Sequence, residues 1–411
     1  MMNSKALSPV FLAVSILYLF FNSFLLPDGL LYTTLLTPFF FINLLQHKGI
    51  RAYLVFLLIT VVFAALQLPG VEHVREYVSS FVLLQCTAIF TINAYYVIRE
   101  RTDLAAIFKV LGSVNMVMLA ISIGCLFIPF LKPSLWYEMS MSDGLPVIPR
   151  LKMLTYEASY YSFLIVPLCS YYFLKKTLLN SKTGILLLSL SLSLLLSFSF
   201  GVLAGWLISI FLVYFFNLNE LGKKINLNYF AAGIVLVVLV ILLLYWFYPH
   251  NLVFERLRNI YKGKDTSARG RTYESFILAW NIAKMKSLYF GIGPGQLKLI
   301  GRDYIIQYYS YTSIPGVIRI PNAVAETLNI FGIAGLLLRF GLIGYLFFKT
   351  RVWNNYYRLL LFLFLFIYQF TGSFLFNIVE YITWILAFSP SLFPAFNREN
   401  FKNASVPAGK E

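Results

Sequence analysis

Cationic side chains are concentrated in one polar stretch of this sequence, residues 249–323. The stretch holds eleven lysines and arginines against four acidic residues. The cations are Arg256, Arg258, Lys262, Lys264, Arg269, Arg271, Lys284, Lys286, Lys298, Arg302 and Arg319. Guanidinium groups pair well with phosphate oxygens. The surplus predicts a surface for an anionic lipid or a phosphate-bearing ligand, and a basic surface resting on anionic headgroups is the alternative.

Arg269 and Arg271 stand directly before a predicted amphipathic helix at 272–288. One face of this helix carries, at helical spacing, Tyr273, Phe276, Ile277, Trp280 and Ala283. Thr272 is placed to cap its start, and the turn GIGPG at 291–295 is placed to end it. Such a helix is expected to lie at a membrane surface. Because a helix N-terminus favours anions, the two arginines mark a candidate anion site; two solvated loop arginines are the alternative.

A carboxylate, Glu157, follows Arg150 in the sequence PRLKMLTYEASYY at 149–161, which runs into an apolar helix. A carboxylate beside arginines at a lipid interface can act as a general base or orient a hydroxyl group. An exposed glutamate at the membrane interface is the alternative.

A second polar cluster, RIPNAVAE at 319–326, leads into a long apolar helix. Close helix packing is predicted at its glycines, which are Gly332, Gly335, Gly341 and Gly344. Arg339 is predicted to face the bundle interior and to pair there. Glu326 lies thirteen positions from Arg339 on the same predicted helix, so roughly 20 Å is expected between them and direct pairing is excluded. Glu380 is a further internal carboxylate with no assigned partner.

The elements that position these residues are membrane helices. The chain has 411 residues, of which 59% are hydrophobic and 12% charged, and its mean hydropathy is +0.76. Soluble domains carry roughly 25% charged residues, so this is an all-α polytopic membrane protein. Despite the net charge of +16, no nucleic-acid motif is present. The three histidines form no metal-ligand or triad pattern, so no metal and no cofactor is predicted.

About twelve transmembrane helices are predicted from apolar runs of sufficient length. They lie near 7–25, 29–46, 52–68, 77–97, 104–130, 158–174, 183–197, 200–217, 229–248, 324–348, 357–375 and 377–395. The run 183–217 is divided by a predicted reversal at 197–201. The resulting regions are helices 1–5 at 1–130, a first external loop at 131–157, helices 6–9 at 158–248, a large external loop containing amphipathic helices at 249–323, helices 10–12 at 324–395 and a cytoplasmic tail at 396–411.

The distribution of cations predicts the orientation, because short cytoplasmic loops are rich in Lys and Arg. Each predicted internal connection is basic, with Lys48/Arg51, Arg99/Arg101, Lys175/Lys176/Lys182, Lys223/Lys224 and Lys349/Arg351/Arg358. The short external connections at 26–28, 197–201 and 372–376 have no Lys or Arg, and the one at 69–76 has only Arg75. Both termini are therefore predicted to be cytoplasmic, and 249–323 is predicted to lie outside the cytoplasm.

The order of these elements resembles the O-antigen polymerase and O-antigen ligase family of bacterial polysaccharide assembly. The resemblance is carried by RGRTYESFILAW at 269–280, YFGIGPGQ at 289–296 and PNAVAETLNIFGIAGLLL at 321–338. The segment TYEASYYSF at 155–163 is similar to a Glu-x-Ser-Tyr segment of the polymerase branch. Ligases have a histidine immediately before the asparagine that opens the helix after the loop. Here that position is Pro321, which has no titratable group, so the resemblance favours the polymerase branch.

The resemblance implies a metal-independent, inverting glycosyltransferase of the C class in the bacterial inner membrane, with the large loop in the periplasm. It would polymerise undecaprenyl-pyrophosphate-linked oligosaccharides, as donor and acceptor, into O-antigen or a related surface polysaccharide, with a chain-length regulator as a further partner besides membrane lipids. The implied catalytic residues are Glu157, Arg269 and Arg271. The implied pyrophosphate-binding or glycan-binding residues are Arg150, Arg319, Tyr156, Asn322 and Tyr160.

Two other functions compete with this interpretation. An O-antigen ligase or protein O-glycosyltransferase of the same family is disfavoured by Pro321. A lipid-linked oligosaccharide transporter would be expected to show internal repeats, and no halves of matching hydropathy are visible. Tyr308, Tyr309 and Tyr311 are candidates for stacking on sugars, and solvated loop aromatics are the alternative.

Overall fold

The computed structural model describes residues 9–27, 30–46, 49–71, 73–101, 103–138, 147–221, 246–247, 252–263, 265–309 and 318–402. Within these residues the chain is mostly helical. Four helices are long and apolar enough to cross a membrane, and several shorter apolar helices accompany them. This is the architecture of a helical membrane protein.

The first half of the chain contains α1 to α11. These are α1 (Pro9–Ile16, continued by a π-helical turn Leu17–Phe21), α2 (Tyr32–Leu35), α3 (Thr37–Gln46), α4 (Gly49–Gln67), α5 (Val74–Arg99), α6 (Leu104–Cys125), α7 (Lys132–Leu135), α8 (Ala158–Leu179), α9 (Gly184–Leu196), α10 (Phe200–Phe216) and α11 (Leu218–Leu221). The run 183–217 is divided as predicted, since α9 ends at Leu196 and α10 begins at Phe200. The predicted span 229–248 lies outside the described residues, apart from 246–247.

The second half contains α12 to α20. These are α12 (Leu252–Tyr261), α13 (Thr266–Arg269), α14 (Tyr273–Lys284), α15 (Leu297–Ile300), α16 (Arg302–Tyr309), α17 (Ala323–Thr350), α18 (Tyr356–Tyr368), α19 (Ile378–Phe388) and α20 (Glu399–Lys402), with 3₁₀ turns at Val352–Asn354 and Pro394–Phe396. The stretch predicted as a large loop thus carries five helices, α12 to α16. Part of the predicted tail, residues 403–411, lies outside the described residues.

Among the residues that the structure describes, one element departs from the all-α expectation. Trp136–Tyr137 (β1) and Arg150–Leu151 (β2) form a short antiparallel pair, in which Tyr137 lies opposite Arg150. The pair follows α6 and places Arg150 close to the start of α8. Two residues per strand are too short for a period-2 pattern to be detected in the sequence.

The main core surrounds α8, which packs against α9, α10, α18 and α19. Its largest buried side chains include Tyr161, Tyr172, Phe163 and Phe364. Phe163 makes an edge contact with Phe364, with ring centroids 5.6 Å apart. Because α8 is buried along most of its length, its first residues are held in a fixed position, and Glu157 immediately precedes them.

The basic stretch has a core of its own. Leu278, Ala279 and Ile282 of α14 are buried against α17, where Ala325 and Leu328 belong to the same apolar cluster. The opposite face of α14 exposes an apolar stripe of Tyr273, Ile277 and Trp280, which are 63%, 40% and 40% exposed. A helix is therefore present within the predicted range, although it ends at Lys284, Ala283 lies on its buried side, and both of its faces carry apolar residues.

α17 is broken at Gly332, where φ is 66° and ψ is −163°. The break leaves backbone groups of α17 without partners in the helix, and these groups form hydrogen bonds with the turn 288–293. Ile292 N donates to Asn329 O at 2.9 Å, and Ile333 N donates to Leu288 O at 3.0 Å. Non-helical backbone inside a membrane protein requires such partners. A side chain on Gly332 would collide with the backbone of Tyr289. Gly332 therefore allows close approach of the loop backbone, rather than of a neighbouring helix as predicted.

The break also corrects the distance predicted along this helix. Arg339 Nη1 donates a hydrogen bond to Thr327 Oγ1 at 3.3 Å, although twelve residues separate them. Twelve residues of straight α-helix would span about 18 Å. The estimate of 20 Å between Arg339 and Glu326 assumed a straight helix and is wrong. As predicted, Arg339 does pair inside the bundle, and its partner is Glu380.

Candidate functional site

A cavity of about 250 Å³ lies where β2, the start of α8, the start of α10 and the basic stretch meet. Its polar and charged lining residues are Arg150, Glu157, Ser159, Ser199, Arg256, Arg271, Thr272, Tyr368 and Thr371. Three of the predicted site residues, Arg150, Glu157 and Arg271, are therefore brought together from distant parts of the sequence. Arg256, Tyr368 and Thr371 were not predicted.

A larger cavity of about 350 Å³ lies among α1, α3, α5 and α6. Its lining is almost entirely apolar, and Arg101 is the charged residue among the described side chains that line it. A catalytic site needs several convergent polar groups. We therefore take the smaller, charged cavity as the candidate site.

Arg150 enters the cavity from β2. Its Nε donates to the main-chain oxygen of Ser197 at 3.1 Å, and its guanidinium lies over the Tyr137 ring, 5.8 Å from the centroid. Burial lowers the pKa of Arg150, Glu157 raises it, and the like charges of Arg256 and Arg271 lower it again. These four charged groups therefore interact electrostatically within one cavity. A site for a multiply charged ligand requires such a cluster.

Arg271 lies between α13 and α14 and lines the same cavity. Its main-chain oxygen accepts a hydrogen bond from Asn322 Nδ2 at 3.0 Å. Asn322 is fully buried at the start of α17, where its Oδ1 accepts from Ala325 N at 2.9 Å. The hydrogen bonds of the Asn322 side chain thus go to backbone groups of the protein. Asn322, which was predicted to bind ligand, does not line the cavity, and its amide bonds the main chain of Arg271.

Arg256 is held by a buried carboxylate. Its Nε lies 3.1 Å from Asp265 Oδ2, and Asp265 is fully buried. Asp265 Oδ1 accepts from Ala268 N at 2.8 Å, which ties α12 to α13. The guanidinium also lies over the Phe200 ring, 5.2 Å from the centroid. In the sequence Arg256 is one of eleven similar cations, and the presence of Asp265 among so few acids is the signal that sets it apart.

Glu157 directly precedes α8 and is half-buried in the cavity wall. Its Oε1 accepts a hydrogen bond from Ser159 Oγ. Its main-chain oxygen accepts from Thr155 Oγ1 at 3.1 Å. The side chain is thus oriented by a local hydroxyl group and faces a cavity with three guanidinium groups. A carboxylate placed in this way can accept a proton from, or orient, a hydroxyl group of a bound ligand.

Arg269 does not line the cavity, in contrast to Arg271. Its Nε and Nη2 both lie 2.6 Å from Glu274 Oε1, and this hydrogen bond raises the pKa of Arg269. Glu274 is 1% exposed, whereas the Arg269 side chain is 40% exposed. The two arginines that the sequence groups together are therefore separated in the structure.

The predicted cap at Thr272 is wrong. Its hydroxyl donates to the main-chain oxygens of Ala268 and Arg269, at 3.1 and 3.2 Å, and makes no capping bond to α14. The backbone of Thr272 has ψ of −130°, which differs from the extended conformation usual for a capping residue. The tight connection from α13 to α14 takes precedence over the local capping preference.

Arg319, Tyr156 and Tyr160 form a neighbouring group that is not part of the cavity lining. Arg319 is exposed, and its guanidinium lies over the Phe374 ring, 4.7 Å from the centroid. Tyr156 and Tyr160 have ring centroids 4.7 Å apart. Burial raises the pKa of Tyr156, and Arg319 lowers it. The hydroxyl of Tyr160 accepts a hydrogen bond from Asn22 at 3.2 Å. Tyr160 thus packs inside the bundle, whereas Arg319 stands at the surface beside the cavity.

Tyr368 and Thr371 complete the wall at the end of α18. Sequence reasoning placed them within an apolar span, 357–375. In the structure α18 ends at Tyr368, and the chain then turns through 369–377 before α19. Gly372 packs directly on the Tyr368 ring, which explains the close turn at this point. A tyrosine at the end of an apolar helix was the available signal, since its hydroxyl needs a polar partner.

No protein-family model matches this sequence, and no curated protein matches it at a significant level. The function therefore has to be inferred from the residues of the cavity and their geometry.

Proposed function

We propose that this protein is a membrane glycosyltransferase that joins undecaprenyl-pyrophosphate-linked oligosaccharide repeat units into O-antigen or a related surface polysaccharide. The observation that supports it is the convergence of Arg150, Arg256 and Arg271 with Glu157 on one cavity. Three guanidinium groups suit a pyrophosphate, and one carboxylate suits a hydroxyl nucleophile.

In the proposed reaction, a hydroxyl group of the acceptor glycan attacks the anomeric carbon of the donor sugar. The bond between that carbon and the pyrophosphate oxygen breaks, and undecaprenyl pyrophosphate leaves with the bonding electrons. The hydroxyl proton passes to Glu157, and the configuration at the anomeric carbon inverts. Arg150, Arg256 and Arg271 stabilise the negative charge that develops on the leaving pyrophosphate.

In this mechanism the guanidinium groups supply the positive charge that stabilises the leaving pyrophosphate. We therefore propose a reaction that does not depend on a metal ion. Groups aimed at developing charge in a site shielded from water contribute most to catalysis. Arg150 is half-buried and bonded to the main chain of Ser197, and Arg256 is held by fully buried Asp265, so the movement of both charges is limited. Arg319 and Arg269, which are both exposed, are assigned to the glycan, outside the pyrophosphate position.

We place the cavity on the periplasmic side of the inner membrane, in a C-class arrangement with about twelve spans and both termini cytoplasmic. The support is that Arg150 and Glu157 precede the start of α8, whereas Lys175 and Lys176 lie near its end. Short loops with lysine pairs mark the cytoplasmic side. An undecaprenyl chain in the outer leaflet would then reach the cavity from the membrane.

The experiment uses the purified protein in liposomes with synthetic undecaprenyl-pyrophosphate-linked repeat units. The proposal predicts a ladder of longer lipid-linked glycans. Arg302→Ala, which changes a cation of the same stretch outside the cavity lining, is the control and should retain the ladder. Flipping of substrate without glycan growth would reject the enzyme in favour of a transporter. Transfer only to core lipid or protein would reject the polymerase in favour of a ligase, against the expectation from Pro321.

A further inference from the structure

Arg339 and Glu380 form an ion pair inside the helix bundle, outside the lining of the charged cavity. Their side chains are 11% and 2% exposed. Arg339 also donates to Gln369 Oε1 at 3.1 Å and to Thr327 Oγ1 at 3.3 Å. A charge pair at this depth is costly to bury, and intramembrane charges are commonly functional. The pair therefore needs an explanation beyond stability.

The pair holds the segment 369–375, which joins α18 to α19. Ser373 Oγ donates to Glu380 Oε2 at 2.6 Å, and Gln369 is bonded to Arg339. Leu375 N donates to Glu326. Ser373 has φ of 63°, a conformation that a residue other than glycine keeps only when its surroundings enforce it. The buried charges are among the groups that enforce it.

The same segment supports the cavity on its other side. Thr371 lines the cavity directly, next to Tyr368. The main-chain oxygen of Phe370 accepts from the Asn322 amide, which also donates to the main chain of Arg271. One short segment therefore lies between the buried ion pair and the residues assigned to pyrophosphate.

We propose that Arg339 and Glu380 are positioning residues, whose ion pair fixes segment 369–375 and thereby sets the geometry of the charged cavity. Neither residue lines the cavity, and both are buried in the helix bundle, so we assign them no contact with the pyrophosphate. The inference rests on the proposed function, because pyrophosphate is the ligand and glycan growth is the activity that its tests use. Its central claim, that the pair controls the shape of the cavity, is measured without that activity.

The first test measures how fast a cysteine at position 371 reacts with an anionic thiol reagent. Thr371→Cys is made in protein whose Cys86, Cys125 and Cys169 are replaced by serine. Inorganic pyrophosphate should slow the reaction by occupying the arginines. With Glu380→Gln added, we expect the rate to change about tenfold and the protection to be lost. An unchanged rate and unchanged protection would overturn the proposal.

The matched control removes a second ion pair that is distant from the cavity. Arg398 Nε lies 2.6 Å from Glu220 Oε2, and neither residue lines the cavity. Arg398→Gln should leave the rate and the protection at position 371 as in the parent protein. An equal effect of both variants would indicate a general loss of structure and overturn the specific role. If Glu380→Gln does not fold, Arg339→Lys replaces it, since lysine keeps the charge but lacks the planar group that bonds three partners.

A double variant separates positioning from stabilisation. Glu380→Gln leaves Arg339 without its carboxylate and should lower the thermal stability. Arg339→Met with Glu380→Leu removes both charges and should recover stability, because an apolar pair of similar size often replaces a buried ion pair without loss. We expect pyrophosphate protection and glycan growth to stay lost in this variant. Recovery of both would show that the pair is merely structural.

Failure of the proposed function gives a different result. If the parent protein makes no polymer but the labelling depends on Glu380 as expected, the positioning role stands and glycosyl transfer is rejected. If the parent makes polymer and the labelling is independent of Glu380, the positioning role alone is rejected.

Discussion

The amide nitrogen of Asn322 donates a hydrogen bond to the main-chain oxygen of Arg271, 3.0 Å away. Asn322 begins α17, whereas Arg271 belongs to the basic stretch, so this bond joins a membrane helix to the cationic segment. The same amide also donates to the main chain of Phe370. The position of Arg271 in the cavity therefore depends on how the start of α17 packs against the end of α18.

Asn322→Asp should impair activity while keeping the cap of α17. Aspartate retains an oxygen for Ala325 N but has no donor for the carbonyls of Arg271 and Phe370. We expect glycan growth to fall by roughly a hundredfold, which is typical when a charged group in the site is misplaced. The measurement is the rate of ladder formation in liposomes.

The control is Asn355→Asp at the start of α18. Asn355 is also buried, also caps its helix and also donates to main-chain oxygens, those of Leu392 and Phe393. Both variants should lose stability, by about 1–3 kcal/mol for unsatisfied buried groups. Only Asn322→Asp should lose activity beyond what its stability explains, and equal losses would contradict the positioning of Arg271 by Asn322.

Arg271→Ala should abolish glycan growth, whereas Arg269→Ala should reduce it by no more than about tenfold. Arg271 lines the cavity, but Arg269 is exposed and paired with Glu274. Steady-state kinetics on membranes with matched expression would measure both. Arg271→Lys should also be inactive if the guanidinium binds pyrophosphate in bidentate fashion. Similar losses at positions 269 and 271 would place both arginines on the same ligand.

Asp265→Asn should weaken donor binding, because Arg256 would lose its ionised partner. We expect KM for the lipid-linked donor to rise by about tenfold, with a smaller change in kcat. Asp303→Asn, on the exposed side of α16, removes one acid from the same stretch and should leave KM unchanged. The free energy of coupling between Asp265→Asn and Arg256→Gln, obtained from a double-mutant cycle, checks the cause. A coupling near zero would mean that the pair does not act on the donor.

Three residues of the charged cavity could be predicted from the sequence. Arg150, Glu157 and Arg271, which the family resemblance implies as site residues, all line one cavity. Helix existence was also predictable, because long apolar runs in a chain with few charges have few alternatives. The division at 197–201 follows from small polar residues that interrupt such a run.

The contacts between distant segments could not be predicted in this way. Arg256 differs from the other cations because it pairs with Asp265, a buried carboxylate nine residues away. The pair between Arg339 and Glu380 depends on the break in α17. The break itself depends on hydrogen bonds from the turn 288–293, which lies about forty residues earlier in the chain. Secondary-structure propensity and hydrophobic periodicity are local properties of the sequence. They do not indicate which distant backbone groups a loop will bond to. The straight-helix distance for Arg339 was wrong for this reason.

Gly332→Ala should destabilise the protein and disrupt the cavity, because Gly332 adopts a backbone conformation that is almost confined to glycine. The strain alone should cost about 1–3 kcal/mol, and the added methyl group would meet the backbone of Tyr289. Gly341→Ala is the matched control in the same helix, since an added Cβ there meets nothing within 4 Å. It should be neutral or slightly stabilising, because alanine is the better helix former. Thermal unfolding in detergent and pyrophosphate protection of a cysteine at position 371 would measure both effects. If Gly332→Ala kept the stability and the protection of the parent, the break in α17 would not be needed to bring Arg339 to Glu380.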